Sequence, residues 1–485
     1  MDPRLAPCAH PLLRQASPLD DELGLESARV GVVALIDWYD RQESALATDE
    51  RPNLDRLIAE LDSRLGQQLD EILHHPQLQA LEASWRGLKS LVDRTDFGEN
   101  IHLRVLNVTT QELLADFDDA PELSQSVYFR HVYASGYGQF GGEPVAAVIG
   151  DYAFTQSAQD IRLLHQLATV GAMAHAPFLS AMSAQFFGLE HYGQLGQIQD
   201  LAALLDAPAY LRWHGLRDAE DARYLGLTCP RFLLRLPYDP LDNPTRSFCY
   251  QETTRDHHQH YLWGNAAYLL ASTLTRSFAR YRWCPNIIGP RNGGEITDLP
   301  IHLFESMGQW QARIPTEVLL TDRREFELAE AGFIPLTQRK DSGNAAFFSA
   351  NSVQKPRRYA QTEHGQQQAL NHRLGTQLPY LMVVSRLAHY LKVLQREQIG
   401  AWKERQDLQR ELNGWIRQYV ADQENPPADV RSRKPLRAAQ VEVLDTPGEA
   451  GWYQVRLSVR PHFKYMGASF ELSLVGRLER EVLPA

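Results

Sequence analysis

Apolar residues recur with a helical period at Leu54, Leu57, Ile58, Leu61, Leu65, Leu69, Ile72 and Leu73, with charged residues on the opposite face. The pattern predicts a long amphipathic helix with Asn53 as its N-cap. An earlier helical pattern runs from about 26 to 47 and carries Val30, Val33, Leu35, Ile36 and Trp38. TDERPN breaks it. The apolar face of such a helix pair either packs on this chain or receives a helix from a partner. HHPQLQALEASWRGLKSLVDRT predicts a further helix, and the alternation in NIHLRVLNV predicts a strand. Helix and strand signals then alternate to about Leu336, with strands expected near 145–149, 231–235 and 318–320. That order indicates a mixed α/β or α+β body. The Gly/Ser/Asn-rich stretch 341–359 reads as a loop or hinge. A long helical region follows, weakest at Gly400, and then a linker holding Pro426 and Pro427. Three strands close the chain: QVEVLD, WYQVRLSVR and ASFELSLVGRLER. In the last, Phe470, Leu472, Leu474 and Leu478 point one way, and Glu471, Ser473 and Arg477 the other. A strand this near the terminus can close its own sheet or extend a neighbour's.

Composition narrows the function classes. The 485 residues are 44% hydrophobic and 22% charged, ordinary for a folded chain of two or three domains. A net charge of −11, with no basic run interleaved with aromatics, argues against nucleic acid as a partner. MDPRLAPCAHPLLRQ has no apolar core of a secretion leader, and His165, His175 and Pro177 interrupt the most apolar window, so no membrane insertion is expected. A cytoplasmic location follows from this reading. Cys8, Cys229, Cys249 and Cys284 are widely spaced and read as reduced thiols.

Candidate chemistry is sparse. Gly136, Gly138 and Gly141 form G-x-G-x-x-G, the spacing of a dinucleotide loop. A phosphate site there needs a strand before the glycines and a helix opening within them. Instead Pro144, Val145, Val148 and Ile149 follow, so the stretch reads as a turn into a buried strand. A nucleotide-binding cytoplasmic enzyme using the 136–142 loop is the alternative reading. In RDHHQHY, His257, His258 and His260 stand beside Asp256, but three ligands at that spacing converge poorly on one ion. His74 and His75 lack a second ligand pair. Asp322, Arg323, Arg324, Glu325 and Glu327 read as a surface or interface ion-pair network, and His389 as a satisfied core or interface histidine. No catalytic, cofactor-binding or metal-binding set emerges, and the pattern points to assembly rather than catalysis.

Several long blocks carry a resemblance. LDEILHHPQLQALEASWRGL, YGQFGGEPVAAVIGDY, HAPFLSAMSAQFFGLE, EDARYLGLTCPRFLLRLPYDP and IPTEVLLTDRREFELAEAGFIPL are among them. So are QLPYLMVVSRLAHYLKVLQREQIGAWKER and RPHFKYMGASFELSLVGRLE. Together they resemble the large subunit of the bacterial type VI secretion contractile sheath, the TssC/VipB family, from about Asn53 to the end. The resemblance implies a phage-tail-sheath-like multidomain subunit with an N-terminal helical arm and exchanged C-terminal strands. It is a structural protein, without cofactors. It pairs with a small sheath subunit of the TssB/VipA kind and polymerises in six-fold rings around an Hcp tube on a baseplate. Contraction drives the tube into a target cell, and an AAA+ ATPase of the ClpV kind recycles the sheath.

By the same analogy, 1–60 forms the outer arm, 61–335 the middle domain and 336–485 the tube-facing domain. The matching exchange segments are 453–460 and 468–478, with Tyr453, Val455, Leu457, Val459, Phe470, Leu472, Leu474 and Leu478 as the inter-protomer residues. Leu54, Ile58, Leu61, Leu65, Leu69 and Ile72 are the expected small-subunit contact. The helix expected near 398–419 is the candidate tube face, presenting Lys403, Glu404, Asp407, Arg410 and Glu411. Charged contact suits a surface that must release its partner.

Overall fold

The computed structural model describes residues 30, 50–139, 141–245, 248–254, 258–306, 309–340, 342–357, 359, 362–397, 404–421, 423, 426–445, 453–462 and 472–476. Of the early helical pattern only Val30 falls within them, and it is helical and exposed. The chain divides into two compact units, Met1–Leu69 with Arg246–Tyr250, and the remainder. In the first, helix α1 (Glu50–Leu73) begins. There the buried Tyr250 ring lies 3.6 Å from where a Cβ on Gly66 would sit.

The second unit is built around a six-stranded sheet. Helix α2 (Pro76–Asp93) opens with Pro76, whose missing N–H costs nothing at a first helical position. Helix α3 (Thr110–Asp119) starts with a capping box: Thr109 accepts from the Glu112 N–H, and the Glu112 carboxylate accepts from the Thr109 N–H. Strand β1 (Val148–Phe154), helix α4 (Ala158–Ala174) and strand β2 (Phe178–Met182) form a parallel crossover. Helix α5 (Leu211–Asp218) precedes β3 (Leu225–Cys229), and β4 (Phe232–Leu233) pairs with β5 (Trp263–Gly264). Helix α6 (Ala267–Tyr281), β6 (Glu295–Ile296) and the hairpin β7 (His302–Ser306) with β8 (Gln309–Arg313) follow. Helix α7 (Asp322–Glu330), β9 (Ile334–Gln338) and β10 (Ala345–Phe347) complete the body. The sheet order is β1-β2-β3-β9-β10-β6, parallel through β9 and antiparallel beyond it.

Strand alternation explains the three layers. Phe178, Met182, Leu225, Leu227 and Phe333 point into one core, roofed by α4 and α5. Leu179, Ile334, Leu336 and Phe347 point into the opposite core, roofed by α6. Strands buried on both faces are mostly apolar, and β2 and β3 are buried at every position, with the Ser180 and Thr228 hydroxyls donating to backbone carbonyls.

A smaller body follows. Helix α8 (Glu363–Gly375) leads into α9 (Leu378–Glu397), then α10 (Arg405–Arg417), α11 (Ala428–Arg433) and an antiparallel sheet of β11 (Leu436–Asp445), β12 (Tyr453–Pro461) and β13 (Leu472–Gly476). Leu408, Leu412 and Ile416 of α10 pack on Val441, Val443, Val455, Leu457 and Val459. Helix α9 belongs to two cores: Leu378, Leu381 and Met382 enter the central one, and Val383, Val384, Leu387 and Leu391 the C-terminal one.

Several expectations are corrected. NIHLRVLNV is not a strand: it joins no sheet among the described residues, and Val105 is largely exposed. The segment 318–320 forms no strand either. The strand expected at 145–149 is displaced to Val148–Phe154, and that at 231–235 shortens to two residues. The stretch 341–359 is not a plain loop, since it supplies β10 to the central sheet and buries Phe347 and Val353. The expected domain border at 335/336 falls inside β9. The long helical region is split into α9 and α10, with Gly400 outside the described residues.

Candidate functional site

The glycine-rich loop is bound into its own fold. Gly138 N–H donates to the carbonyls of Tyr133 and Ala134, and Gly142 N–H to that of Gln139. The loop carbonyls of Tyr137 and Gln139 accept from Arg396 on α9. The Tyr137 hydroxyl donates to the His389 carbonyl at 3.0 Å, and Lys392 lies over the Tyr133 ring. A phosphate cradle needs N–H groups turned outward, whereas these donate inward and the carbonyls meet a guanidinium. A Cβ on Gly142 would lie 1.6 Å from the Gly136 carbonyl oxygen, so that close approach admits only glycine. The loop staples the body to α9, a role its spacing did not signal.

Three surfaces stand out as assembly candidates. On α1, Ile58, Leu65 and Ile72 recur seven residues apart and are 48%, 44% and 57% exposed. Leu61 and Leu69 are half-buried, and the Leu54 side chain lies outside the described residues. A repeat of seven with apolar residues between is the seam of a helix pair. On α10, Glu404, Asp407, Arg410 and Glu411 are exposed on the face opposite Leu408, Leu412 and Ile416; Lys403 lies outside the described residues. Asp407 accepts from Arg410 at 3.2 Å. The helix is keyed to the sheet by Asn413, which exchanges two hydrogen bonds with the Val441 backbone, and by Gln409, which accepts from Val443 N–H. In the C-terminal sheet, Tyr453, Val455, Leu457 and Val459 lie on β12, which pairs with β13 from Val455↔Gly476 to Val459↔Leu472. Leu472 and Leu474 are on β13; Phe470 and Leu478 lie outside the described residues.

Two buried clusters were not legible in advance. Both oxygens of Glu317 accept from Arg231, at 2.7 and 2.8 Å, and one also meets His258 Nε2 at 3.0 Å and Tyr192 N–H at 3.0 Å. Glu252 likewise takes two bonds from Arg235, one from Tyr238 N–H and one contact with His74 Nε2 at 3.3 Å. Arg235 also donates to Glu82 at 2.9 Å. Burial pushes both carboxyls up, but the hydrogen bonds from arginine and histidine overcome it and hold each near 2. Each cluster carries a second imidazole: His191 stacks on His258 at 4.2 Å, and His260 on His74 at 3.9 Å.

His191, His258 and Glu317 bring ligand atoms within 4.8 Å of one another. The set nonetheless fits a metal poorly. Stacked rings, 25° from parallel, aim their in-plane lone pairs side by side rather than at one point. Arg231 already occupies both carboxylate oxygens and would repel a divalent ion. Of the RDHHQHY histidines, His258 and His260 enter different clusters, while His257 and Asp256 lie outside the described residues.

Elsewhere, Thr321 caps α7, and Arg323 and Arg324 pair with Glu327; Arg323 is solvent-exposed, whereas Arg324 is 17% exposed and also donates to the Ile198 carbonyl, so the network is part surface and part internal packing. His389 is buried and its Nε2 meets the Ala174 carbonyl at 2.9 Å; the nearby His175 Nδ1 meets the Tyr224 hydroxyl. Burial is the main cause holding His389 down to about 4 and His175 to about 3. Both groups stay neutral in the folded chain while the unfolded chain binds protons from pH 6.5 downward. Stability therefore falls as pH drops from 6.5 toward 4, by several kcal/mol in all. Urea unfolding midpoints at pH 7.5, 6 and 5 check this, and His389→Gln is expected to flatten the dependence.

Among the described residues no helix is long and apolar enough to cross a membrane. The sequence matches two family domains: the EvpB/VC_A0108 tail sheath N-terminal domain over residues 55–354, and the tail sheath gpW/gp25-like domain over 367–478. It is 39% identical over 473 residues to type VI secretion system sheath protein TssC1 of Pseudomonas aeruginosa, covering 96% of this chain and 94% of that protein. Among solved structures it is similar to a chain of the anti-feeding prophage baseplate, with TM-score 0.33 and 10% identity over 80% of this chain and 82% of that one. The contracted helical sheath of the same particle gives TM-score 0.27 and 11% identity over 76% and 84%. Those overlays are too loose to carry weight, but the sequence matches span nearly the whole molecule. The chain belongs to the EvpB/VC_A0108 (VipB) family of tail sheath proteins.

Proposed function

We propose that this chain is the large structural subunit of a type VI secretion contractile sheath. It pairs with a small TssB/VipA-like subunit, polymerises in six-fold rings around an Hcp tube on a baseplate, and contracts to drive tube and cargo into a target cell. A ClpV-like ATPase then dismantles it. It acts in the bacterial cytoplasm and catalyses no reaction. The observation that carries this reading is 39% identity to a type VI sheath protein across 96% of the chain. In a bacterium bearing this chain, deleting it is expected to stop export of the tube protein without lowering its synthesis. Undiminished export would overturn the reading.

The surfaces divide the work. Residues 1–60 form the outer arm, the body around the central sheet the middle of the sheath wall, and the body of α10 and β11–β13 lies beside the tube. The exposed seam of α1 takes a helix of the small subunit. The β12–β13 ladder is made between neighbouring chains in the polymer, since main-chain hydrogen bonds do not distinguish whose strand completes them. Neighbours linked by such ladders can slide and rotate without separating. The charged face of α10 lies against the tube. Reversing Glu404 and Asp407 to lysine is expected to cut the tube content of isolated sheaths severalfold; an unchanged tube-to-sheath ratio by gel densitometry would remove this helix from the interface.

A further inference from the structure

We infer that α10 seals one edge of the C-terminal sheet: Gln409 and Asn413 stand where a further strand would lie beside β11, so a strand from another chain can enter this sheet only on the side away from β11. Along a strand the backbone N–H and C=O groups of successive residues turn to opposite sides. Val441 N–H donates to Asn413 Oδ1 at 3.0 Å, and the Val441 carbonyl accepts from Asn413 Nδ2 at 2.6 Å. Both backbone groups of Val441 therefore face away from β12. Those of Ala439 and Val443 face the same way, while those of Gln440 and Glu442 turn toward their partners Ser458 and Arg456 on β12. An amide side chain carries both a donor and an acceptor. At Val441 the Asn413 amide thus reproduces the two-bond exchange that an opposed residue of a neighbouring strand would make.

Gln409, one turn earlier on α10, accepts from Val443 N–H at 3.2 Å. The start of the same edge is covered by the segment that follows α10. Val420 bridges Leu436, Ala421 N–H donates to the Leu436 carbonyl at 2.9 Å, and Leu436 N–H donates to the Tyr419 carbonyl at 3.2 Å. The edge is thus occupied at Leu436, Val441 and Val443 by one helix and the residues just after it. Packing aims the two amides: Leu408 and Leu412, each one residue before an amide, are buried in the core that α10 shares with the sheet. On the other side β13 is the outermost strand among the described residues. An open strand edge is a template for any chain that can lie along it. Where neighbouring chains are joined through β12 and β13, a second open edge would offer the exchanged strand a wrong seat, and the seal removes it. That consequence rests on the proposed function, whereas the seal is a property of the single chain.

A fluorescein-labelled peptide of residues 468–478, ASFELSLVGRL, titrated into the full chain as purified tests the seal. Gln409→Ala with Asn413→Ala opens the edge, and this variant is expected to bind about one more peptide per chain at saturation than the parent does. Gln409→Lys with Asn413→Lys removes the same hydrogen bonds but leaves charges at the edge, which bar strand addition. The lysine variant is expected to bind no more peptide than the parent. A role in stability alone would move both variants alike. Equal uptake by the parent and the alanine variant, or the same gain in the lysine variant, would overturn the seal. Should the alanine variant not fold, hydrogen exchange of the parent chain decides. Val441 and Val443 amides protected as strongly as those of Gln440 and Glu442 support the seal, and exchange at Val441 as fast as at an open edge rejects it. These readouts need no polymer, so they stand or fall separately from the sheath role.

Discussion

Leu61→Asp with Leu65→Asp is expected to abolish copurification with the small sheath subunit. The seam on α1 leaves Ile58, Leu65 and Ile72 half exposed along a helix of 24 residues. A partner helix laid on that seam would bury both introduced carboxylates without counter-charges, a penalty of several kcal/mol and more than a thousandfold in affinity. Leu65 is exposed and Leu61 only half-buried, so circular dichroism of the variant chain is expected to match the parent. Retained copurification would show that the partner binds elsewhere and that the stripe serves this chain alone.

The largest loss of stability is expected from Arg235→Ala. The Arg235 side chain is 8% exposed and pairs with Glu252, 1% exposed, and with Glu82. Removing the guanidinium strands a buried carboxylate that keeps only Tyr238 N–H and His74, at a cost of about 3–5 kcal/mol. Lys89→Ala is the matched control: its pair with Asp93 is solvent-exposed on α2, and such pairs are worth about 0–1 kcal/mol. Urea unfolding of the two variants side by side measures the difference. A loss under about 1 kcal/mol for Arg235→Ala would mean that water relaxes the cluster.

Long amphipathic stripes were legible because packing and periodicity state the same thing. The stripe of α1 and the strand β12 appear where the residues predicted them. Alternation in NIHLRVLNV names no pairing partner, and the segment joins no strand among the described residues. β10 was hidden because three residues inside a Gly/Ser/Asn-rich stretch are too few to show a period. The G-x-G-x-x-G spacing misleads for a related reason: a Cβ on Gly138 would lie 2.5 Å from the Ala134 carbonyl oxygen and Gly141 has a φ of 76°, so glycine is demanded there by backbone conformation and packing rather than by a ligand. The histidine clusters could not be assembled from spacing at all. His74 meets His260 and His191 meets His258 across long stretches of chain, and only the unusual density of RDHHQHY hinted that something held it.

The sheath role itself is tested most directly by co-expressing the chain with the small subunit from the same source and imaging the pelleted material by negative-stain electron microscopy. The account predicts hollow, ridged tubules, and their loss when the chain ends after Pro461, because β13 is then missing from the ladder that joins neighbours. Discrete soluble particles and no polymer from the full-length pair would contradict it.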